Sequence, residues 1–393
     1  MTAEKSGQAV RTPDAAVWRG VSHFLDAYVK VGDGDHVVLV YTLDGREAAA
    51  WLATELSLRG HRAVTVGMNP VRDDGLEARL RAVLPDPARV GPASRLVLLT
   101  VERESMSHGI KLRRVLAPYP ERDCAVFRLI NAAVEFFVDA VSLTPEQLSG
   151  VNGALLNRMM PASRLHIGTT AGTDLDVEID SERYRWLSNR GVWREGSFVI
   201  LPPGEVSTYP ANINGILVAD GAFNVTAYTT TDARLGAHPV VIEIEEGRVV
   251  DYRCDSPALM TLLGRCLERE NGDRVGELGF GTNFGIDGFI PMNSHINERH
   301  PGVHLGLGQH GQKFDAVPYM CDIHLDLITA DTTVVVEDGA TIRSRDLADL
   351  PGEDHPKPLH GEVDDEDIDG DCCGVIATEV ARARAEYLSL DRG

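Results

Sequence analysis

Cysteine is sparse in this chain, and what there is lacks a metal-binding order. Six residues, at 124, 254, 266, 321, 372 and 373, include no Cys-x-x-Cys pair. That argues against a zinc–thiolate site and fits a reducing, cytoplasmic setting. Positive charge is short as well. The 59 acidic residues against 38 basic ones leave a net charge of −21. No basic face is available to neutralise phosphates, so neither nucleic acid nor an anionic membrane is an expected partner. No run of 18 apolar residues exists, so no membrane span is expected. Met1 to Asp14 is polar, without the apolar core of a signal peptide. Two motifs are missing too. The turn after the first apolar run reads Thr42-Leu43-Asp44-Gly45, not a glycine-rich dinucleotide loop, so nicotinamide and flavin are not expected. No Gly-x-Ser-x-Gly elbow presents a serine nucleophile.

What is present supports two domains. The chain has 393 residues, 43% of them hydrophobic, which is material for two cores. Residues 1–155 alternate strands and helices. His36–Tyr41, Ala63–Met68, Leu96–Val101 and Cys124–Ile130 are apolar runs of strand length. Between the first two, residues 44–59 place Ala48, Trp51, Leu52 and Leu56 at helical spacing, with Asp44 as N-cap and Gly60 as stop. This rhythm predicts an α/β domain with an open, mainly parallel sheet. Residues 156–345 change character. Short strands at 164–168, 174–179, 197–201, 215–219, 240–244 and 248–253 surround one helix, Ser256–Glu270, which predicts a β-rich α+β domain. Residues 346–393 read as an acidic linker and a C-terminal amphipathic helix. Asp365, Asp367, Asp369 and Gly370 match the first half of a calcium loop, but Ile376 stands where a bidentate Glu is required. The adjacent Cys372 and Cys373 are read as two unconnected thiols.

Chemistry concentrates in the second domain. Glu277-Leu278-Gly279-Phe280-Gly281 and His304-Leu305-Gly306-Leu307-Gly308 share one layout: a potential metal ligand, then apolar, Gly, apolar, Gly. On a strand, alternate residues face the same way. The apolar residues therefore face a core, and Glu277 and His304 face away from it. Repeated glycine weakens a strand and suggests close approach of a ligand or backbone. His324-Leu325-Asp326 puts an imidazole and a carboxylate on one strand face. Leu201-Pro202-Pro203-Gly204-Glu205 presents an acid at the end of a strand. Carboxylates and imidazoles without thiolate suit zinc, cobalt, manganese or ferrous iron. Five ligands exceed what one catalytic zinc takes from protein, so two divalent metals fit the count better. Such a pair activates water for hydrolysis, with Glu205 or Glu298 as the candidate general base.

In order along the chain, Gly172-Thr173-Asp174-Leu175, Gly204-Glu205-Val206, Glu277 to Gly281, Glu298 with Gly302 to Gly308, and His324-Leu325-Asp326 resemble the motifs of the thermophilic-type metalloaminopeptidases, the M29 peptidase family. The resemblance covers about residues 20–340. It implies that Glu205, Glu277, His304, His324 and Asp326 bind two metals, that the substrate is a short peptide or small molecule, and that the chain is a homodimer. Gly311 stands where that family places a catalytic tyrosine. The neighbouring His310 is then the candidate donor to the attacked carbonyl, with Tyr319 as a substitute if its loop folds back. The same fold also resembles the dihydroxypyridine ring-cleaving dioxygenases, which use one ferrous iron. A triad of His304, His324 and Asp326 would serve that chemistry. The third reading is a non-catalytic descendant. Asp174 is a further candidate for the surroundings of the site or for substrate contact. Asn283 and Asn293 are expected in turns rather than in a pocket.

Overall fold

The computed structural model describes residues 14–356 apart from Val71 and Ser105. The acidic stretch 361–371, Cys372-Cys373 and the expected C-terminal helix lie outside the described residues.

Five apolar strands form a fully parallel sheet. Its order is Ala63–Gly67, His36–Tyr41, Leu96–Val101, Cys124–Leu129 and Phe198–Leu201. Parallel strands buried on both faces read as continuous apolar runs; the inner strands do, while the edge strand Ala63–Gly67 buries only Val66. Val37, Leu39, Leu99 and Phe127 pack on one side against Phe24, Leu52, Phe136 and Phe137. Val38, Val40, Leu98 and Val126 pack on the other against Leu76, Leu80, Leu112 and Val115. The helix predicted from residue 44 runs Arg46–Leu58. Asp44 does not cap it; its carboxylate accepts from the Thr42 hydroxyl instead.

The edge strand Phe198–Leu201 corrects the expected layout. It belongs by sequence to the span 156–345, yet it pairs in parallel with Cys124–Leu129. The reason is packing: Val199 and Leu201 join the apolar cluster under the first helix.

The rest of the chain makes two antiparallel sheets. One has seven strands, ordered Arg248–Arg253, Val240–Glu245, Asn212–Ala219, Asp174–Glu178, Arg164–Gly168, Thr333–Val336 and Thr341–Arg343. The other has six, ordered Ala222–Val225, His324–Ile328, Gly302–Gly308, Val275–Gly281, Glu205–Thr208 and Trp186–Asn189. One core joins them. Leu165, Ile167, Leu175 and Ile213 of the first meet Leu278, Phe280, Leu305, Leu307, Leu325 and Leu327 of the second. By strand alternation, the opposite face of the six-stranded sheet carries Glu205, Glu277, His304, His324 and Asp326. The helix predicted at 256–270 is Pro257–Leu267, capped by the Ser256 hydroxyl. Among the described residues no helix is long and apolar enough to cross a membrane.

One ion pair ties down the start of the parallel sheet. Asp35 accepts from Gly32 N–H, Arg95 N–H and the Arg95 guanidinium. Burial pushes its carboxyl up, but these donors outweigh it and hold the group below the usual carboxylate range. A carboxyl that titrates lower when folded stabilises the fold above its unfolded pKa, near 3.9. That contribution is lost as pH falls through the folded value. Asp35→Asn is therefore expected to cost about 1–3 kcal/mol at pH 7, with the difference from the parent shrinking below about pH 4. Urea titrations at pH 7 and pH 3 measure both.

Candidate metal centre

Three adjacent strands supply the centre. Val275–Gly281 contributes Glu277, Gly302–Gly308 contributes His304, and His324–Ile328 contributes His324 and Asp326. Glu205 opens the neighbouring strand. It follows a Pro-Pro-Gly turn whose Gly204 takes a φ of +114° and packs against Asn283. The Asn283 amide donates to Ala140 O at 2.7 Å and Pro203 O at 3.0 Å. That holds the turn, and with it Glu205, in place.

The glycines of the paired motifs make room for the imidazoles. Gly279 lies directly across from His304, and a Cβ on it would fall 1.9 Å from His304 Nε2. Gly306 lies across from both Glu277 and Asp326. A Cβ there would fall 2.6 Å from His324 Cε1 and 2.9 Å from the Glu277 Cβ. No other residue type fits either position with the rings where they are.

A short helix, His295–Arg299, covers this face, and every residue in it is buried. Ser294 caps it through Ile296 N–H. Arg299, 1% exposed, sends its guanidinium to Glu205 and to within 3.5 Å of Glu298. Glu298 also accepts from the Asn224 amide at 3.3 Å. Glu205 Oε1 meets His304 Nε2 at 3.0 Å. His324 Nε2 lies 2.9 Å from Asp326 and 3.7 Å from Glu277, and its Nδ1 donates to Gln309 O at 2.9 Å.

Electrostatics separates the two histidines. Burial pushes His304 down to about 4 against the pull of Asp326, so it is a neutral imidazole at pH 7. Burial also pushes on His324, but Asp326 and Glu277 outweigh it and raise the group to about 10. Asp326 is 0% exposed, and the His324 charge holds it well below the carboxylate range despite that burial. With no metal ion bound, four carboxyl groups thus face two cations, Arg299 and a protonated His324; a metal ion bound there would displace the His324 proton. His304 Nδ1 is buried without a hydrogen bond, and the fully buried Asp326 has the His324 ring at 2.9 Å as its close partner. Buried polar atoms normally have partners, and an ion is one cause of the exceptions. Two sets of donor atoms lie within 4.8 Å of one another: Glu205, Glu277 and His304, and Glu298, His304 and Asp326. The donor set fits a divalent cation.

Two solved structures have this architecture. The fold is that of a dioxygenase and an aminopeptidase. The 2,5-dihydroxypyridine dioxygenase of Pseudomonas putida KT2440 aligns with a TM-score of 0.56 at 13% identity, over 88% of this chain and 99% of that one. AmpT of Thermus thermophilus, an M29 aminopeptidase, aligns with a TM-score of 0.52 at 15% identity, over 84% and 97%. At these identities the likeness establishes the fold. The profile of one family, described as "Crocagin biosynthetic protein CgnE/B", matches residues 207–335. That span takes in Glu277, Glu298, His304, His324 and Asp326 but not Glu205. No curated protein matches the chain.

The structure brings Glu205, Glu277, Glu298, His304, His324 and Asp326 together. It places three other candidates elsewhere. His310 has both ring nitrogens committed: Nε2 donates to Tyr319 O at 3.0 Å, and Nδ1 accepts from Gln312 N–H at 3.2 Å. That leaves it no donor for a substrate carbonyl. The Tyr319 hydroxyl donates to Gly308 O at 2.9 Å while its ring packs edge-on against His310, so the phenol does not stand in for the missing tyrosine. Asp174 sits at the exposed start of a strand in the seven-stranded sheet, 3.6 Å from His166, and takes no part in the site. Arg299, His295 and Asn224 carry no signal in the sequence that marks them out. A cation beside an acid on a polar stretch looks the same whether it is buried or solvated, so only the burial of the helix distinguishes them.

Because the Gly279 site has no spare volume, Gly279→Ala is expected to displace His304 at a cost of about 1–3 kcal/mol and to lower bound metal at least roughly tenfold, given that outer-shell changes alone cost 10–100-fold. Gly67→Ala, where an added Cβ meets nothing within 4 Å, is the control. Metal content by elemental analysis, beside circular dichroism, checks both.

Proposed function

We propose that the chain is a metal-dependent hydrolase of the aminopeptidase type, acting on an amide or peptide bond of a small substrate. What carries the reading is the make-up of the two donor groups. Each holds two carboxylates and shares one histidine, His304. Carboxylate-rich sets suit zinc, cobalt or manganese, whereas a ferrous facial triad needs two histidines and one carboxylate on a single ion. Among the described residues His304, His324 and Asp326 do not gather as one such group. The ring-cleaving dioxygenase is therefore the second reading, favoured by the fold shared with the Pseudomonas enzyme. A homodimer, by resemblance, and a cytoplasmic setting, by the sparse cysteines, belong to the same proposal.

Glu205, Glu277, His304, His324 and Asp326 would hold the metal ions, with Glu298 at their edge. A divalent metal supplies Lewis-acid polarisation of a carbonyl and a lowered pKa for water. The protein's own residues do the rest. Arg299 fixes the Glu205 carboxylate, and Glu205 in turn faces the neutral His304 ring. Asn224 orients Glu298 through Oε2, which suits Glu298 to take a proton from water and return it to the leaving amine. The His295–Arg299 helix keeps bulk water off this face, since all five residues are buried.

Elemental analysis of the purified protein is expected to find about two equivalents of zinc, cobalt or manganese. Glu277→Gln and His324→Ala should each abolish hydrolysis across a panel of amino-acid p-nitroanilides and short peptides, while the circular dichroism spectrum shows that the protein stays folded. One oxygen-sensitive ferrous iron per chain, or normal turnover in either variant, would sink the reading.

A further inference from the structure

A cleft of about 230 Å³ opens beside the metal centre, at the carboxyl end of the parallel sheet. Ligands of open α/β sheets bind outside the carboxyl ends of the strands. Here two adjacent strands deliver the wall: Glu104 follows Leu96–Val101, and Asn131 follows Cys124–Leu129. The six-stranded sheet and its covering segment supply the rest, including Asn224, Thr226 and His295. Two of these residues belong to the metal centre as well. Asn224 donates to Glu298, and the Thr226 hydroxyl accepts from His324 N–H at 2.9 Å.

Asn131 holds an unusual position. Its φ is +57°, in the left-handed region, and it is 3% exposed. Its amide donates to Arg103 O at 2.8 Å, which fixes the amide orientation. The oxygen then faces His295. It accepts from His295 N–H at 3.0 Å and lies 3.3 Å from His295 Nδ1, so that nitrogen carries the proton. The clamp sets the ring: Nε2 is turned toward Glu298, 3.6 Å away. One side chain of the parallel sheet therefore determines where an imidazole sits beside the metal centre.

The lining also has a charge sign. Beside apolar Ile130, Val225, Pro291 and Met292 it contains hydroxyls, amides, His295 and the Glu104 carboxylate, and no lysine or arginine among the described residues. The acidic metal centre lies directly behind it. The volume is below the range of about 300–1,000 Å³ usual for ligand pockets, so the occupant is no larger than about one amino-acid unit.

We infer that this cleft holds the substrate of the metal centre, that it takes a small molecule without negative charge, and that Asn131 is a positioning residue that fixes His295 in the cleft wall and turns it toward Glu298. The inference rests on the metal-enzyme reading for the word substrate, but its selectivity does not. Glu104 rejects anions by like-charge repulsion. His295 lines the cleft between Asn131 and Glu298, and Asn131 acts only through His295.

Isothermal titration calorimetry on the full chain, with and without added zinc, tests this. The probes are N-acetylleucine amide, leucine amide and N-acetylleucine, which share a side chain and differ in charge. The neutral and cationic probes are expected to bind at least about tenfold tighter than the anion. Glu104→Gln should narrow that gap several-fold without weakening the neutral probe. His295→Leu and Asn131→Gly, the latter keeping the left-handed backbone available, should each weaken the neutral probe about tenfold. The double variant should be no weaker than His295→Leu alone, which a general loss of structure would not produce. Absence of bound metal together with retained selectivity would defeat the metal-enzyme reading and leave the cleft assignment standing. Equal or tighter binding of the anion, no binding by any probe, or additive losses in the double variant would overturn the inference.

Discussion

Burying one carboxylate without compensation costs several kcal/mol, and burying several on one surface compounds it. The six-stranded sheet and its covering helix gather four carboxyl groups on one face, and Glu205, Glu298 and Asp326 are each at most 6% exposed. Arg299 offsets part of that charge from the middle of the cluster, and a protonated His324 offsets more. The remainder is negative. Much of the surrounding structure follows from this imbalance. The glycine pairs leave room for both imidazole rings beside the carboxylates. The covering helix brings a guanidinium rather than a hydrophobic lid. Asp326, fully buried beside His324, is one point at which a cation would relieve that repulsion.

Such a face has to be sealed, and asparagine side chains do the sealing. Asn283 ties the Pro-Pro-Gly turn to the segment after Gly281. Asn293 accepts from Val225 N–H and donates to Val225 O and Ala227 O, standing in for a strand partner. Asn297 does the same for Ile290 and Met292. The segment that these amides hold also sends Ile286 and Ile296 into the core of the parallel sheet. The cover is thus anchored on both sides by groups whose partners are backbone atoms.

The repeated strand layout is legible in the sequence because alternation is a property of the backbone. Leu278 and Leu305 have to face a core, so Glu277 and His304 have to face away. The glycines in the same motifs point to a close approach, and the structure identifies what approaches: two imidazole rings rather than a ligand. Arg299 and His295 are not legible, because a five-residue helix has no periodicity and its burial comes from the fold around it. The role expected of His310 fails for a related reason. Its proximity to Gly311 in sequence says nothing about the backbone groups of the 312–319 loop that claim its nitrogens. Asp174 shares a motif with the site but belongs to the other sheet, and no local pattern distinguishes the two sheets.

The strand Phe198–Leu201 has a consequence beyond packing. It completes the parallel sheet and is followed, after Pro202, Pro203 and Gly204, by Glu205 at the candidate metal centre. The chain leaves the parallel sheet, builds the Arg164–Gly168, Asp174–Glu178 and Trp186–Asn189 strands, returns for one strand and leaves again. The two halves are therefore laced rather than joined end to end. A cassette cut at any single peptide bond would take a strand from one sheet or an acid from the site. Diversification of such a scaffold is confined to substitutions and loop changes within an indivisible whole, with wholesale exchange of modules closed to it.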